Sequence, residues 1–273
     1  MSSRSDRDFV AALAHGISVL NAFDGARRAL TLSEVARRAD IAPATARRSL
    51  HTLQVLGYVR ASERRFAPTA RILSLGLSYL HALGAEEIFM PELRRLVEIF
   101  GEAASVAVLD GNDVIYLAHV SAQRALRPTA TVGMRYPAYA TSLGRVLLAD
   151  LSDDELAARL QTMHLEKLTS ETQVDKERLL EVCCAVRKLG YATVVDQLAY
   201  GVTALAVPIR INGPKAIAAI NTSGYSGRST AQSLVEERLG ELRISAGRLE
   251  AALMHHQLLC DFMSSATRVS VTE

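Results

Sequence analysis

The chain has 273 residues, enough for two domains with their own cores, and 49% hydrophobic with 22% charged residues exclude a disordered polymer. No apolar run approaches the ~20 residues of a membrane helix, and Met1-Ser2-Ser3-Arg4-Ser5-Asp6-Arg7-Asp8 has no signal-peptide pattern, so a cytoplasmic protein without membrane contact is expected. The net charge of +2 is uneven: residues 1–71 hold 12 arginines against 6 acidic residues, and the remainder holds 19 basic against 23 acidic. A basic first quarter on an acidic body suits contact with a polyanion.

Apolar residues Leu13, Ile17, Val19, Leu20 and Phe23 predict a helix over 9–23. Thr31-Leu32-Ser33-Glu34 has the pattern of a capping box opening a second, two-turn helix with Leu32, Val35, Ala36 and Ala39 on one face. Asp40-Ile41-Ala42 makes a turn, and Pro43 suits the first position of a third helix. There Ala46, Leu50 and Leu53 face inward, leaving Ala44, Thr45, Arg47, Arg48, His51 and Thr52 largely outward. Two short helices with a tight turn, the second exposing arginines, form the helix-turn-helix pattern, whose second helix enters the DNA major groove. Tyr58-Val59-Arg60 and Arg65-Phe66-Ala67 read as strands of a wing that carries Arg64 and Arg65 toward phosphate or the minor groove. The candidate DNA contacts are Ser33, Pro43, Ala44, Thr45, Arg47, Arg48, His51, Arg64 and Arg65. The alternative is a three-helix protein-interaction module with a solvated arginine face, and Arg37 and Arg38 fit either reading. This domain is expected over 1–68.

Residues 69–84 read as a linker helix, apolar on more than one face and therefore suited to packing on a second copy. An effector-binding domain is expected over 85–260. It opens with a helix over 86–100, followed by strands over 104–109 and 114–120 joined by Asp110-Gly111-Asn112-Asp113. Helices capped by Thr141 or Ser142, by Ser152 and near Asp175 come next, then strands over 192–195, 205–209 and 216–221, with Asn212-Gly213 as a hairpin turn. A long helix over 230–259 and a flexible tail over 261–273 close the chain. The mixture is α+β.

No catalytic signature is present: no G-x-S-x-G elbow, no phosphate loop, no H-E-x-x-H. Cys183, Cys184 and Cys260 lack metal-ligand spacing and read as reduced packing residues. No metal or cofactor is expected, and an enzyme acting on the bound molecule is the weaker alternative.

The blocks Leu32–Ala39, Gly57–Val59, Tyr139–Ala149 and Gly201–Ile209, in this order, resemble the IclR family of transcriptional regulators, over about Phe9 to Leu253. The stretch Tyr136–Arg145 further resembles its PcaR/PobR branch, which controls aromatic-acid catabolism. The resemblance implies a winged helix-turn-helix, a linker helix, a GAF-like effector domain, homodimers or homotetramers on double-stranded operator DNA, and a small organic acid as effector. It points to Thr141, Ser142, Leu143, Gly144, Asp196, Leu205, Pro208, Asn221 and Ser223 as the ligand pocket. A helix N-terminus at Thr141-Ser142 suits a carboxylate. Asn221 and Ser223 alternate along a strand, so they share a face. Asp196 can accept from a ligand hydroxyl, and Arg135 with Tyr136 can clamp an aromatic acid. A regulator of non-aromatic carbon metabolism is the alternative within the family.

Overall fold

Local structure in the first unit is set by a reciprocal exchange at Thr31. Its hydroxyl accepts from the Glu34 amide at 3.3 Å, while the Glu34 carboxylate accepts from the Thr31 amide at 2.7 Å. The Thr31 amide and the Thr31 hydroxyl, which donates at 2.8 Å, hold the Glu34 carboxyl below the usual carboxylate range. Thr31→Ala removes the hydroxyl's bonds to the Glu34 amide and carboxylate while leaving the backbone donor, and is expected to lower stability by about 1 kcal/mol, read as an earlier midpoint in urea unfolding. An unchanged midpoint would show that the box adds nothing to stability.

The computed structural model describes residues 9–23, 29–76, 84–122, 130–211 and 213–268. They belong to two compact units divided between residues 79 and 80. The first contains helices α1 (Ala11–Asn21), α2 (Leu32–Arg38) and α3 (Pro43–Val55). Its antiparallel sheet has the order β1-β3-β2, formed by Leu30–Thr31, Arg65–Pro68 and Val59–Ser62. Ala46, Leu50 and Leu53 of α3 are buried as their spacing predicts, and Val19, Phe23, Leu30, Val35 and Val59 complete the core. Strand β1 was not foreseen. On α1, Leu13 and Ile17 stay exposed together with Phe9, leaving an apolar stripe at four-residue spacing. Of the expected linker helix, 70–72 form a 3-10 turn and 73–76 are helical. The rest, 77–83, lies outside the described residues.

The second unit is a six-stranded antiparallel sheet of order β6-β5-β4-β9-β8-β7. The strands are β4 (Ala103–Asp110), β5 (Asp113–Ser121), β6 (Arg135–Pro137), β7 (Ala192–Val195), β8 (Val202–Arg210) and β9 (Ala216–Tyr225). One face packs on α4 (Ala85–Phe100), α8 (Ala231–Leu253) and α9 (Gln257–Arg268). The other packs on α5 (Ser142–Ala149), α6 (Asp153–Thr162) and α7 (Lys176–Leu189). Helices cover both faces, so β4 is buried continuously from Ala104 to Leu109, alternate residues feeding the two cores. Ser152 forms the expected capping box, and Asp175 caps α7, which ends at Gly190 with φ +72°. Asn212, half of the expected hairpin turn, lies outside the described residues.

The C-terminus departs from the sequence reading. The long helix stops at Leu253, and a separate helix runs from Gln257 to Arg268. Leu259, Cys260 and Met263 are buried in the core against the sheet. Residues 261–268 are therefore helix and not tail, held by apolar burial. No helix among the described residues is long and apolar enough to cross a membrane.

Candidate nucleic-acid interface and effector site

The turn between α2 and α3 is closed by the Ile41 amide donating to the Ala36 carbonyl at 3.1 Å, with Asp40 at φ +51°. An aspartate tolerates this left-handed conformation better than a branched residue. The turn leads to Pro43 at the first position of α3. Pro43, Ala44, Arg47, Arg48 and His51 are exposed, Thr45 is half-buried, and Ser33 is exposed near the start of α2. The Arg47 and Arg48 side chains have no hydrogen-bond or ion-pair partner among the described residues. Two guanidinium groups held out by a helix, with all donors available, suit bidentate pairing to guanine or contact with phosphate.

The wing is a two-residue hairpin. Glu63 and Arg64 adopt φ +49° and +63° between the paired residues Ser62 and Arg65. Neither is glycine, so each costs on the order of 1 kcal/mol or more, and the turn places the exposed Arg64 at its tip. Arg65 is committed differently. It donates to the Ala29 carbonyl at 2.9 Å and lies 3.9 Å from the Glu34 carboxylate, bracing β3. Arg38 is likewise not merely solvated: it donates to the Ala22 carbonyl at 3.1 Å. Arg37 is exposed.

In the second unit, Thr141 caps α5 by accepting from the Gly144 amide at 3.0 Å. The amides of Ser142 and Leu143 have no acceptor among the described residues, as the first amides of a helix do not. Ser142 is 1% exposed, and its hydroxyl has no partner among the described residues. Three residues on, Arg145 is 6% exposed, donating from Nε to the Tyr139 carbonyl at 2.9 Å and from Nη2 to Gln197 Oε1 at 2.6 Å. It has no carboxylate partner among the described residues. Burial draws its pKa down to about 10, which leaves it charged at neutral pH. A helix start and a buried cation thus share one short element, a field that favours an anion.

Helix α5 packs on β8, β9 and β4. The face it covers carries a cross-strand row fixed by register: His119 opposite Ser105, Ser105 opposite Asn221, Asn221 opposite Ala206. Ser105 Oγ and His119 Nδ1 are 3.0 Å apart. His119 Nε2 and Asn221 Oδ1 are buried without partners among the described residues. Buried polar atoms are normally paired, so these three atoms on α5 and the sheet are available to a polar ligand or to water. Ser223 follows Asn221 on the same face, and Pro208 lies two residues beyond Ala206 on β8.

Other expected pocket residues sit elsewhere. Leu205 points to the opposite face, into the core formed with α4 and α8, so it does not join this group. Leu143 is fully buried in the core beneath α5. The Asp196 carboxylate accepts from the Gly201 amide at 2.6 Å and the Ser226 hydroxyl at 2.8 Å, bracing its own loop with φ +54°. Arg135 pairs with Asp110 and Asp113, and the Tyr136 ring packs edge-on to Tyr116, so neither is poised as a clamp. Ser105 and His119 were missed. Their signal, polar residues inside two apolar strands, needs the register to be read.

An arginine-bearing helix-turn-helix with a wing, followed by a separate helix-covered sheet with unpaired buried polar atoms, is the architecture of a DNA-binding regulator with a second, α+β domain. Residues 12–63 match the IclR helix-turn-helix domain, and residues 77–250 match the bacterial transcriptional regulator IclR C-terminal domain. The chain belongs to the IclR family of DNA-binding transcriptional regulators, not to an enzyme family. It is 36% identical to the Pca regulon regulatory protein of Pseudomonas putida over 89% of this chain and 84% of that one. It is 33% identical to the p-hydroxybenzoate hydroxylase transcriptional activator of Acinetobacter baylyi, over 89% and 91%. Among solved structures, an IclR homolog complexed with 4-hydroxybenzoate from Microbacterium hydrocarbonoxydans shares 26% identity and a TM-score of 0.71, over 89% and 99%.

Proposed function

We propose that the protein is a cytoplasmic regulator that binds a small aromatic acid and controls genes for aromatic-acid catabolism, such as those of the protocatechuate and 4-hydroxybenzoate pathway. The observation that carries this reading is the pair of buried, unpartnered atoms, Ser142 Oγ and Asn221 Oδ1, beside an α5 start that favours an anion. The Pca and p-hydroxybenzoate relatives and the 4-hydroxybenzoate complex supply the ligand class. Arg47 and Arg48 read operator bases or phosphate, and Arg64 reaches the backbone or minor groove. The apolar stripe of Phe9, Leu13 and Ile17 supports a homodimer, which places two α3 helices on a pseudo-palindromic operator. The acid acts only through its different affinities for the DNA-competent and DNA-incompetent arrangements.

The test is binding of the purified protein to duplex DNA from upstream of its own gene, with and without 4-hydroxybenzoate, protocatechuate and short aliphatic acids. Selective binding shifted by an aromatic acid is the expected result. A shift caused only by aliphatic acids would move the protein to non-aromatic carbon metabolism.

A further inference from the structure

Resting on the reading of the α5–sheet region as the effector site, we propose that His119, oriented by Ser105, is the specificity-determining residue for a hydroxyl group on the bound acid. Asn221 Oδ1 is an acceptor without a donor, so in this amide orientation it is matched by a ligand O–H and not by a carboxylate oxygen. The carboxylate therefore belongs at the other end, with the Ser142 and Leu143 amides and the Ser142 hydroxyl.

On the sheet side, His119 and Asn221 flank Ser105 on neighbouring strands, about 10 Å apart between backbones at two strand spacings. Ser105 is small, so the row has a notch between two larger polar side chains. A ligand hydroxyl above Ser105 completes a chain of donors: Ser105 O–H to His119 Nδ1, His119 Nε2–H to the ligand oxygen, and the ligand O–H to Asn221 Oδ1. The first link is already present, and the two links to the ligand satisfy His119 Nε2 and Asn221 Oδ1, which are otherwise buried without a partner among the described residues. Burial lowers the pKa of His119, which keeps the imidazole neutral and allows one ring nitrogen to accept while the other donates. Asn221 alone cannot impose the preference, because a single neutral acceptor leaves the ligand oxygen's own lone pairs unmet. The ring of His119 supplies the missing donor.

The experiment measures calorimetric binding of 4-hydroxybenzoate, 3-hydroxybenzoate and benzoate to the full-length protein and to His119→Leu and Ser105→Ala. The native protein is expected to favour at least one hydroxylated acid over benzoate by about tenfold or more. His119→Leu should bring that acid down to the level of benzoate while leaving benzoate affinity within about twofold, because only the hydroxyl contact is lost. Ser105→Ala should reduce the preference partway by releasing the ring, and it keeps the proposal testable if the leucine variant does not fold. A hydroxyl preference that survives in both variants would overturn the role of His119 alone. Failure of the native protein to bind any of the three acids would overturn the aromatic-acid reading of the site, and the proposal with it.

Discussion

The double variant Arg47→Ala/Arg48→Ala is expected to lose sequence-selective DNA binding while keeping its thermal stability. Both residues are exposed on α3 and have no partner among the described residues, so removing them breaks nothing in the fold. Exposed substitutions of this kind usually change stability by less than about 0.5 kcal/mol. On DNA, a bidentate base contact contributes about 1–3 kcal/mol, so losing both should weaken operator binding by about a hundredfold or more. The two roles separate in the salt dependence. If the arginines contact phosphate, each loss lowers the slope of log K against log salt by about one, uniformly across sequences. If they read bases, discrimination between operator and random duplex collapses with little change in slope. Arg65→Ala is the contrasting variant. Its guanidinium braces Ala29 and Glu34, so a small loss of stability should accompany any loss of affinity. Retained affinity and selectivity in the double variant would sink the assignment of α3 as the recognition helix.

What the sequence disclosed follows from how local each signal is. The capping boxes at Thr31 and Ser152, the cap at Thr141 and the inward set Ala46, Leu50 and Leu53 depend on spacings of three or four residues. All are legible because a helix closes its contacts within a turn. Strand direction was not legible. β8 is buried on both faces from Ala204 to Ile209, so apolar residues fill it without alternation, and nothing in the order Ala204-Leu205-Ala206-Val207 says that Leu205 faces α4 and α8. The row His119–Ser105–Asn221 is harder still, since it joins three strands up to about a hundred residues apart through register alone. β1, with two residues, and β6, with three, are too short to carry a periodic pattern. α9 was hidden by the polar break at His255-His256, after which Leu259, Cys260 and Met263 return to the core. Asp196 shows the limit of carrying a role across a resemblance: the residue is present, and its carboxylate is occupied by Gly201 and Ser226.

Gly144→Ala tests the physical frame of the effector site. By helix propensity alone, alanine in α5 is better than glycine by about 1 kcal/mol. At this position a methyl group lies under 3.0 Å from the Ala138 carbonyl oxygen, Cα and carbonyl carbon, all backbone atoms. Ala138 has little room to yield. It is fully buried in the 3-10 turn before α5, its amide bonds the Asn112 carbonyl at 3.0 Å, and the next carbonyl, of Tyr139, is held by Arg145 Nε. Overpacking of this kind costs about 1–3 kcal/mol and occasionally more, and the rigidity of the turn places it at the upper end, so the clash outweighs the propensity gain. The expected net loss is about 2 kcal/mol, or roughly 4–8 °C in the melting temperature of a unit this size. Acid binding should fall with it, because relief of the clash moves α5 and the Ser142 hydroxyl away from the sheet. Gly247→Ala in α8 is the internal control. Gly247 is exposed, and a methyl group there meets nothing within 4 Å, so the same change should be neutral or stabilising by up to about 1 kcal/mol. If both variants melt at or above the native temperature, α5 is not clamped onto the turn, and the close packing that holds the start of this helix over the polar row is not what shapes the site.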